Sequence, residues 1–366
     1  MKLQHTKLYK FIKKNQFIYF LKTELFDKEY KIKKKLMGDA AKSKEQIAEE
    51  MEMVSKYWGC KPHHYIRYEL FNKMLDKEAI LDYIPPYFHY SFYSDLIYKN
   101  LDRDLYDDKY QMYKILKEKG INTPEVIATY DKGVFKSTND DIIDENVLVS
   151  LFNNGDKIFF KPVFGQGGKG IVVLKINNGV ITHKEDAVQS GNIHALLNDR
   201  TLYVIQKGIV QREDISKICA DSVNTLRCVT QWVDNEPKLS VCVMRIGRNG
   251  SDVDNSSQGG LSVQIDENSG KLYKYGTAEL GGGVYEKHPD TGFVFEDFQI
   301  EGWEQIKKQI IAYAKTIPEI KELAWDIAIT KDKVLAIEIN LGYGLSHLQC
   351  CCGGMRRKLN IFPNKQ

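Results

Sequence analysis

Two groups of residues in this chain have types and spacings that suit chemistry. The first is Lys161 and Lys169 around Gly165-Gln166-Gly167-Gly168-Lys169-Gly170, a loop between two apolar, strand-like runs, 159–162 and 171–176. Four glycines in six residues let backbone N–H groups approach an anion closely, and the lysines add fixed positive charge. Such a loop suits a polyphosphate, which makes a nucleotide under a mobile lid the working expectation. The second group is Asp326, Glu338 and Asn340, on two alternating runs joined by Lys331-Asp332-Lys333. With a three-residue turn, Thr330 pairs with Val334, Asp326 falls directly opposite Glu338, and Ala336, Glu338 and Asn340 share a face. A two-residue turn would put the carboxylates on opposite faces instead. Facing carboxylates repel, and a divalent cation removes the conflict. A few hard oxygen ligands fit Mg²⁺ held partly by substrate phosphates. Each motif alone has a simpler reading, a tight ligand-free hairpin or an ordinary polar sheet face. Together they point to Mg-nucleotide chemistry.

The glycine pattern excludes several nucleotide folds. Gly165, Gly167 and Gly170 satisfy G-x-G-x-x-G, but a dinucleotide site needs a helix after the loop, and the β-branched residues 171–176 read as a strand. A Walker loop needs Ser or Thr after its lysine, whereas Gly170 follows Lys169. Protein kinases place such a loop between strands, yet neither His-Arg-Asp nor Asp-Phe-Gly occurs further on.

The elements that must position these groups follow from patterning. Residues 1–100 form a helical, basic and tyrosine-rich region. Its first 40 residues hold 11 lysines against four acids, interleaved with Phe11, Ile12, Phe17, Ile18, Phe20 and Leu21. That basic amphipathic pattern suits an anionic membrane surface, while packing of its apolar stripe on the main body is the simpler expectation. Tyr83, Tyr87, Tyr90, Tyr93 and Tyr98 are expected in a core or interface. Met112, Ile115 and Leu116 have helical spacing, with Gly120 as a stop. Short strands are expected from there to Ser150. Further strands fall at 203–205, 226–232, 239–246 and 261–265, interrupted by a helix with Trp303, Ile306, Ile310 and Ala314 on one face. The 366 residues, 43% hydrophobic and 28% charged, suit a soluble globular protein of two or three domains. A net charge of +3 and the lack of a dense basic patch argue against a nucleic-acid partner. Seven cysteines without a disulfide-like framework point to a reducing, cytoplasmic setting, and no signal peptide or transmembrane run is expected. The basic N-terminus would put the protein at the inner face of a membrane. His63 and His64 read as surface residues, and Cys60, Cys219, Cys228 and Cys242 as core. His347 with Cys350, Cys351 and Cys352 lacks zinc spacing, and residues 342–349 are expected to line an acceptor pocket through residues such as Ser346.

With these residues in view, the chain resembles the ATP-grasp superfamily over roughly residues 100–350, most closely its sugar-transfer-associated branch of bacterial surface-polysaccharide genes. The resemblance implies an α+β ATP-grasp fold, two α+β subdomains gripping ATP, preceded by the helical region. Residues 101–366 would form the ATP-grasp domain, with a glycine-lid subdomain at about 151–208 and a metal and acceptor subdomain at about 209–349. Lys109, in Asp107-Asp108-Lys109-Tyr110, and Lys161 would bind nucleotide phosphates. Gly165, Gln166, Gly167, Gly168, Lys169 and Gly170 would form the closing lid. Ile205-Gln206-Lys207-Gly208-Ile209 would be the strand whose backbone reads adenine; relatives often carry glutamate where Gln206 stands. Asp326, Glu338 and Asn340 match the metal set. Arg227 matches an arginine near the transferred phosphoryl group, so Arg227 and Lys161 are the expected catalytic residues. Arg245, Asn255, Gly259 and Gly260 would join Arg227 in binding substrate, through a stretch similar to the Asn-x-x-x-Gly-Gly loop of glutamate-adding ligases.

The chemistry so implied is an ATP- and Mg²⁺-dependent carboxylate–amine ligase working through an acyl phosphate, on a sugar acid, amino acid or glycan precursor of polysaccharide biosynthesis (capsule included). The alternatives are a phosphotransferase acting on a hydroxyl and a non-catalytic nucleotide-binding partner of a glycosyltransferase.

Overall fold

The computed structural model describes residues 14–165, 167–184, 186–188, 192–279 and 282–363. Alternating apolar patterns produce two antiparallel sheets. The first has eight strands: β1 (Val126–Asp131), β2 (Val134–Ser137), β3 (Ile142–Ile143), β4 (Lys157–Pro162), β5 (Val172–Asn177), β6 (Val180–His183), β7 (Asp186–Ala187) and β8 (Tyr203–Lys207), in the order β3-β2-β1-β8-β4-β5-β6-β7. The second has seven: β9 (Thr225–Val233), β10 (Glu236–Ile246), β11 (Leu261–Ile265), β12 (Leu272–Ala278), β13 (Gly283–Tyr285), β14 (Glu322–Ile329) and β15 (Val334–Asn340), in the order β13-β12-β11-β10-β9-β14-β15.

One helix, Lys109–Glu118, ties the sheets together. Its N-cap Asp108 accepts from the Tyr110 and Gln111 N–H groups, both at 2.9 Å. Met112 and Leu116 enter the core of the second sheet, while Tyr113 packs with Val126, Val163 and Val204 of the first. As expected from its spacing, the helix Trp303–Thr316 buries Trp303, Ile306, Ile310 and Ala314. They meet Trp325, Ile327, Met244 and Val263 on one face of the second sheet.

The other face of that sheet is divided. Val229, Val241, Val243 and Ala324 join the core of the N-terminal helices, together with Tyr343, Leu345, Leu348, Met355, Leu359 and Ile361. The N-terminal region therefore shares one apolar core with the last described segment and with the central strands. The tyrosines secure this junction. Buried Glu322 accepts from Tyr93 at 2.7 Å, Tyr343 at 2.9 Å and Gln231 at 2.6 Å. Burial holds its carboxyl above the usual range despite those three donors.

Three sequence expectations are corrected. Residues 145–150 form a helix, Glu145–Ser150, because the Asp144 side chain accepts from the Val147 N–H at 2.8 Å. His64 is buried rather than on the surface, and burial pushes its imidazole down to about 3. His63 stacks between Phe20 and Tyr30, with centroids 4.3 and 4.9 Å away. The third concerns the carboxylate hairpin. Ile329 pairs with Val334, so its turn holds four residues, and Ile337 bulges out to bring Asp326 opposite Glu338 and Ala324 opposite Asn340. The bulge moves Ala336 to the opposite face, where it packs in the core with Trp325 and Ile327. Cys60, Cys219, Cys228 and Cys242 are buried thiols, as expected.

Candidate active site

Between the sheets lies an open cleft. Its walls bring together residues far apart in the chain: Lys109, Lys161, Gly165, Gly167, Gly168, Lys169, Gln206, Lys207, Ile209, Arg245, Asn255, Asp326 and Glu338. Gln166 lies outside the described residues.

β4 carries Lys161 into the cleft, one strand from β8 and directly before the glycine loop. Among the described residues Lys161 has no ion-pair partner. Burial, with Lys109 adding repulsion, pushes its ammonium down to about 8 against the pull of Glu338 and Asp254. A desolvated cation without a counter-charge is poised to receive an anion. Lys109 closes the entrance, donating to the Gly165 carbonyl at 2.8 Å and to Glu338 Oε1 at 3.2 Å. One ammonium thus pins the start of the lid to the far sheet.

The lid needs its glycines at particular positions. Gly167, Gly168 and Gly170 all have positive φ, between 66° and 75°. A Cβ on Gly168 would lie 2.6 Å from Gln258 Nε2 and 2.9 Å from Asn255 Oδ1. Gln258 also donates to the Gly167 carbonyl at 3.0 Å. The lid therefore rests directly on the loop carrying Asn255. Gly259 and Gly260 shape that loop rather than lining the cleft: Gly259 has φ of 95°, and a Cβ on Gly260 would meet the Asp254 carbonyl at 2.5 Å.

Strand register assembles the charged floor. Asp326 on β14 pairs across the ladder with both Arg227 on β9 and Glu338 on β15. Arg245 on β10 pairs with Thr225, placing it on the same face. Asp326 accepts from Arg227 through Nε and Nη2, the latter at 3.1 Å, and from Arg245 Nη1 at 3.0 Å. Burial alone would raise its carboxyl, but the two guanidinium groups outweigh burial and hold it below the usual range. Arg245 also donates to Asp254 Oδ1 at 2.8 Å. Asp254 in turn accepts from the Thr225 N–H at 3.1 Å.

The metal-set residues stand in unequal positions. A carboxylate has about four lone-pair sites, and three guanidinium N–H groups already fill three on Asp326. Glu338 keeps 30% side-chain exposure and pairs with Lys109. The Asn340 Nδ2 is buried without a hydrogen-bond partner among the described residues. The oxygens of two carboxylates and an amide, with Glu338 partly exposed, fit a hard cation that takes further oxygens from phosphate, whereas the unpartnered Asn340 Nδ2 is a donor and no ligand. No cluster of three or more His, Cys, Asp or Glu suited to a metal occurs among the described residues.

At the adenine-strand position, β8 is hydrogen-bonded on both sides, by β1 and by β4, and the ladder ends where the Gly208 N–H meets the Lys157 carbonyl at 2.7 Å. Buried Gln206 donates its amide to the Pro124 carbonyl at 3.0 Å, and Lys207 pairs with Asp156 at 2.7 Å. Met112, Phe159, Ile171, Val204 and Ile337 line this end, an apolar slot of the kind a planar base fills.

The model of the family described as sugar-transfer associated ATP-grasp matches residues 90–361. The chain belongs to that family. No curated protein matches it. Among solved structures it is similar to D-alanyl-alanine synthetase A from Vibrio cholerae, with 10% identity, a TM-score of 0.40, and 70% of this chain and 60% of that chain covered. For D-alanine–D-alanine ligase from Bacillus anthracis the values are 16%, 0.37, 71% and 64%, and for L-amino acid ligase from Bacillus licheniformis 10%, 0.35, 82% and 48%. The chain spans less than two thirds of the length of each of the three.

Within this ATP-grasp chain, Gly170, Asn340, Ser346 and Arg227, like Gly259 and Gly260, do not line the cleft. Ser346 faces the N-terminal region, where it meets the Tyr68 hydroxyl. Arg227 reaches the cleft only through Asp326. Asp254 escaped the sequence reading, and His347, expected within the acceptor-pocket stretch 342–349, lies with that whole stretch outside the cleft lining. Asp254 is the second counter-ion of Arg245, and its place between Asp252 and Asn255 was the available signal. His347 has Ser256 Oγ 2.9 Å from Nδ1, Ser262 Oγ 3.0 Å from Nε2, and Glu279 3.6 Å away. It joins the Asn255 loop to the helix Leu345–Cys352, a link that no local spacing announces.

Proposed function

We propose that this protein is an ATP- and Mg²⁺-dependent carboxylate–amine ligase that makes an amide through an acyl phosphate, on a sugar acid, amino acid or glycan precursor. The observation that carries this reading is the convergence on one cleft of an uncompensated lysine, a glycine lid and a floor of paired arginines and carboxylates. Adenine would occupy the apolar slot, bounded by Gln206, Lys207 and Ile209. Lys109, Lys161 and Lys169 would hold the phosphates, with Gly165, Gly167, Gly168 and Gly170 supplying backbone N–H groups. Asp326, Glu338 and Asn340 would hold Mg²⁺, which when bound supplies charge neutralisation on the phosphate oxygens.

The remaining demands fall on the protein. Arg245 is fixed by Asp326 and Asp254 before any substrate arrives, so aiming it at a developing phosphoryl charge costs little reorganisation, while Arg227 acts from behind by holding Asp326. Asn255 and Gln258 touch the lid, so its seating on the acceptor loop would exclude water that destroys an activated acyl group. No nucleophilic side chain is required. Cytoplasmic placement and a role in surface-polysaccharide biosynthesis belong to the same reading.

Incubation with Mg-ATP and pools of carboxylates and amines tests it. ADP and phosphate release, with a product equal to two substrates less water, is the expected result. A product heavier by one phosphate would make the protein a kinase instead. ATP binding without acceptor-stimulated hydrolysis would make it a binding module.

A further inference from the structure

The first two described helices, Gln16–Phe26 and Lys28–Leu36, anchor one face to the body and leave a different kind of face outside. Asp27 joins them, its N–H bonding the Thr23 carbonyl at 3.0 Å and its side chain accepting from Tyr30 N–H at 3.0 Å. The inner face is well held. Phe20 and Tyr30 are buried and flank His63, and Tyr19 lies against Tyr87 with centroids 4.9 Å apart.

The acids of this segment are paired with the body: Asp27 and Glu29 point inward, and Glu24, though exposed, meets His63. Glu24 pairs with His63 at 2.9 Å, while Asp27 and Glu29 both pair with Arg67, the latter at 3.3 Å. What remains outside is apolar and cationic. Phe17, Leu21 and Leu25, four residues apart on one side of the first helix, are 67%, 44% and 51% exposed. Phe26, Ile32 and Leu36 are 72%, 41% and 43% exposed. Lys22, Lys28, Lys31, Lys34 and Lys35 are exposed among them. Lys22, Lys28, Lys31 and Lys35 have no ion-pair partner among the described residues. Of the apolar stripe expected on the main body, Phe20 is buried there and Ile18 is half-buried, Phe17 and Leu21 are exposed, and Phe11 and Ile12 lie outside the described residues.

We infer that this outer face docks on an anionic lipid bilayer. The charge arrangement selects that occupant: the acids are used up in anchoring the helices, which leaves lysines interspersed with large apolar side chains along both. Apolar groups placed between cations suit the boundary of acyl chains and phosphates, where side chains insert while ammonium groups meet headgroups. No helix among the described residues is long and apolar enough to cross a membrane, so the contact is peripheral. A membrane-attached precursor would then reach the cleft by diffusion in two dimensions. The inference does not depend on the ligase reading, since lipid binding and catalysis have separate readouts.

The test is cosedimentation of the full chain with vesicles of phosphatidylcholine alone and of phosphatidylcholine containing phosphatidylglycerol. Binding at least about tenfold tighter to the anionic vesicles, and lost at high salt, is expected. A Phe17→Ser/Leu21→Ser/Leu25→Ser variant and a Lys22→Glu/Lys28→Glu/Lys31→Glu/Lys35→Glu variant should each lose that binding with unchanged melting temperature. Equal binding to both vesicle types, or to neither, overturns the inference, as does wild-type binding by either variant. Concentration-dependent dimerisation abolished by the serine variant would assign the face to a second copy instead. Should a variant fail to fold, the lipid and salt dependence of the unmodified chain decides alone.

Discussion

The two sheets handle charge in opposite ways. The eight-stranded sheet presents Lys161 and, from its loop, Lys169, neither with an ion-pair partner among the described residues, and Lys161 is held at about 8 by burial. The seven-stranded sheet pairs its charges internally: Asp326 lies between Arg227 and Arg245, and Arg245 between Asp326 and Asp254. A half-buried cation without a directly paired carboxylate costs the fold something and gains on meeting an anion. A neutralised network costs nothing further and keeps its donors in place. The first sheet thus reads as the gripping half, and the second as a pre-built floor.

The sharpest way to break this contrast is at Glu338, which touches both halves through Lys109. Glu338→Gln should lower turnover by about a thousandfold while nucleotide affinity changes far less. Parallel measurement of ADP release and of ATP binding checks it; full activity would remove the metal assignment. On the floor itself, Asp326→Ala should destabilise the fold by about 3–5 kcal/mol, because two buried guanidinium groups lose their shared partner. Urea unfolding of the free protein reads this directly, and a loss below about 1 kcal/mol would mean the floor is not a structural network.

Lys161→Met should behave conversely: ATP binding weakens by about ten- to a hundredfold, while stability holds or rises because a desolvated charge is gone. pH sharpens the point. Free Lys161 loses its proton near pH 8, and a bound phosphate favours the charged form, so binding takes up a proton above that pH. ATP affinity should therefore be greatest below about pH 8 and fall as pH rises through it, with this dependence absent in Lys161→Met. The smallest expected effect is at the lid. Gly168→Ala forces a Cβ against Asn255 and Gln258 at positive φ, at a cost of roughly 1 kcal/mol. It should appear as slower turnover at nearly unchanged ATP affinity, measured by steady-state kinetics beside equilibrium binding.

How much was legible before folding differs between these parts. Alternation along 323–330 and 334–340 limited the registers enough to make Asp326 opposite Glu338 one of the few options, with the turn length left open. The bulge at Ile337 was not legible, since a four-residue turn and an extra residue cancel in the pairing while sending Ala336 to the other face. The lysine and glycine spacing of the lid was plain, because only glycine adopts those backbone angles cheaply. Its contact with Asn255 and Gln258 was not, being made between segments about ninety residues apart. The helix Glu145–Ser150 was missed because a single N-cap, Asp144, outweighs a β-branched neighbourhood.

By itself the sequence determined most of the strands, which loop can cradle an anion, and which carboxylates could face each other, because these follow from local periodicity and from the conformational limits of each residue type. Tertiary structure alone decided that Asp326 belongs first to two arginines, that Asp254 completes the pairing of Arg245, and that the N-terminal helices pair their acids with His63 and Arg67 while leaving most of their lysines outside. Those outcomes depend on which distant surfaces share a low-dielectric interior, a property that no short stretch of chain carries.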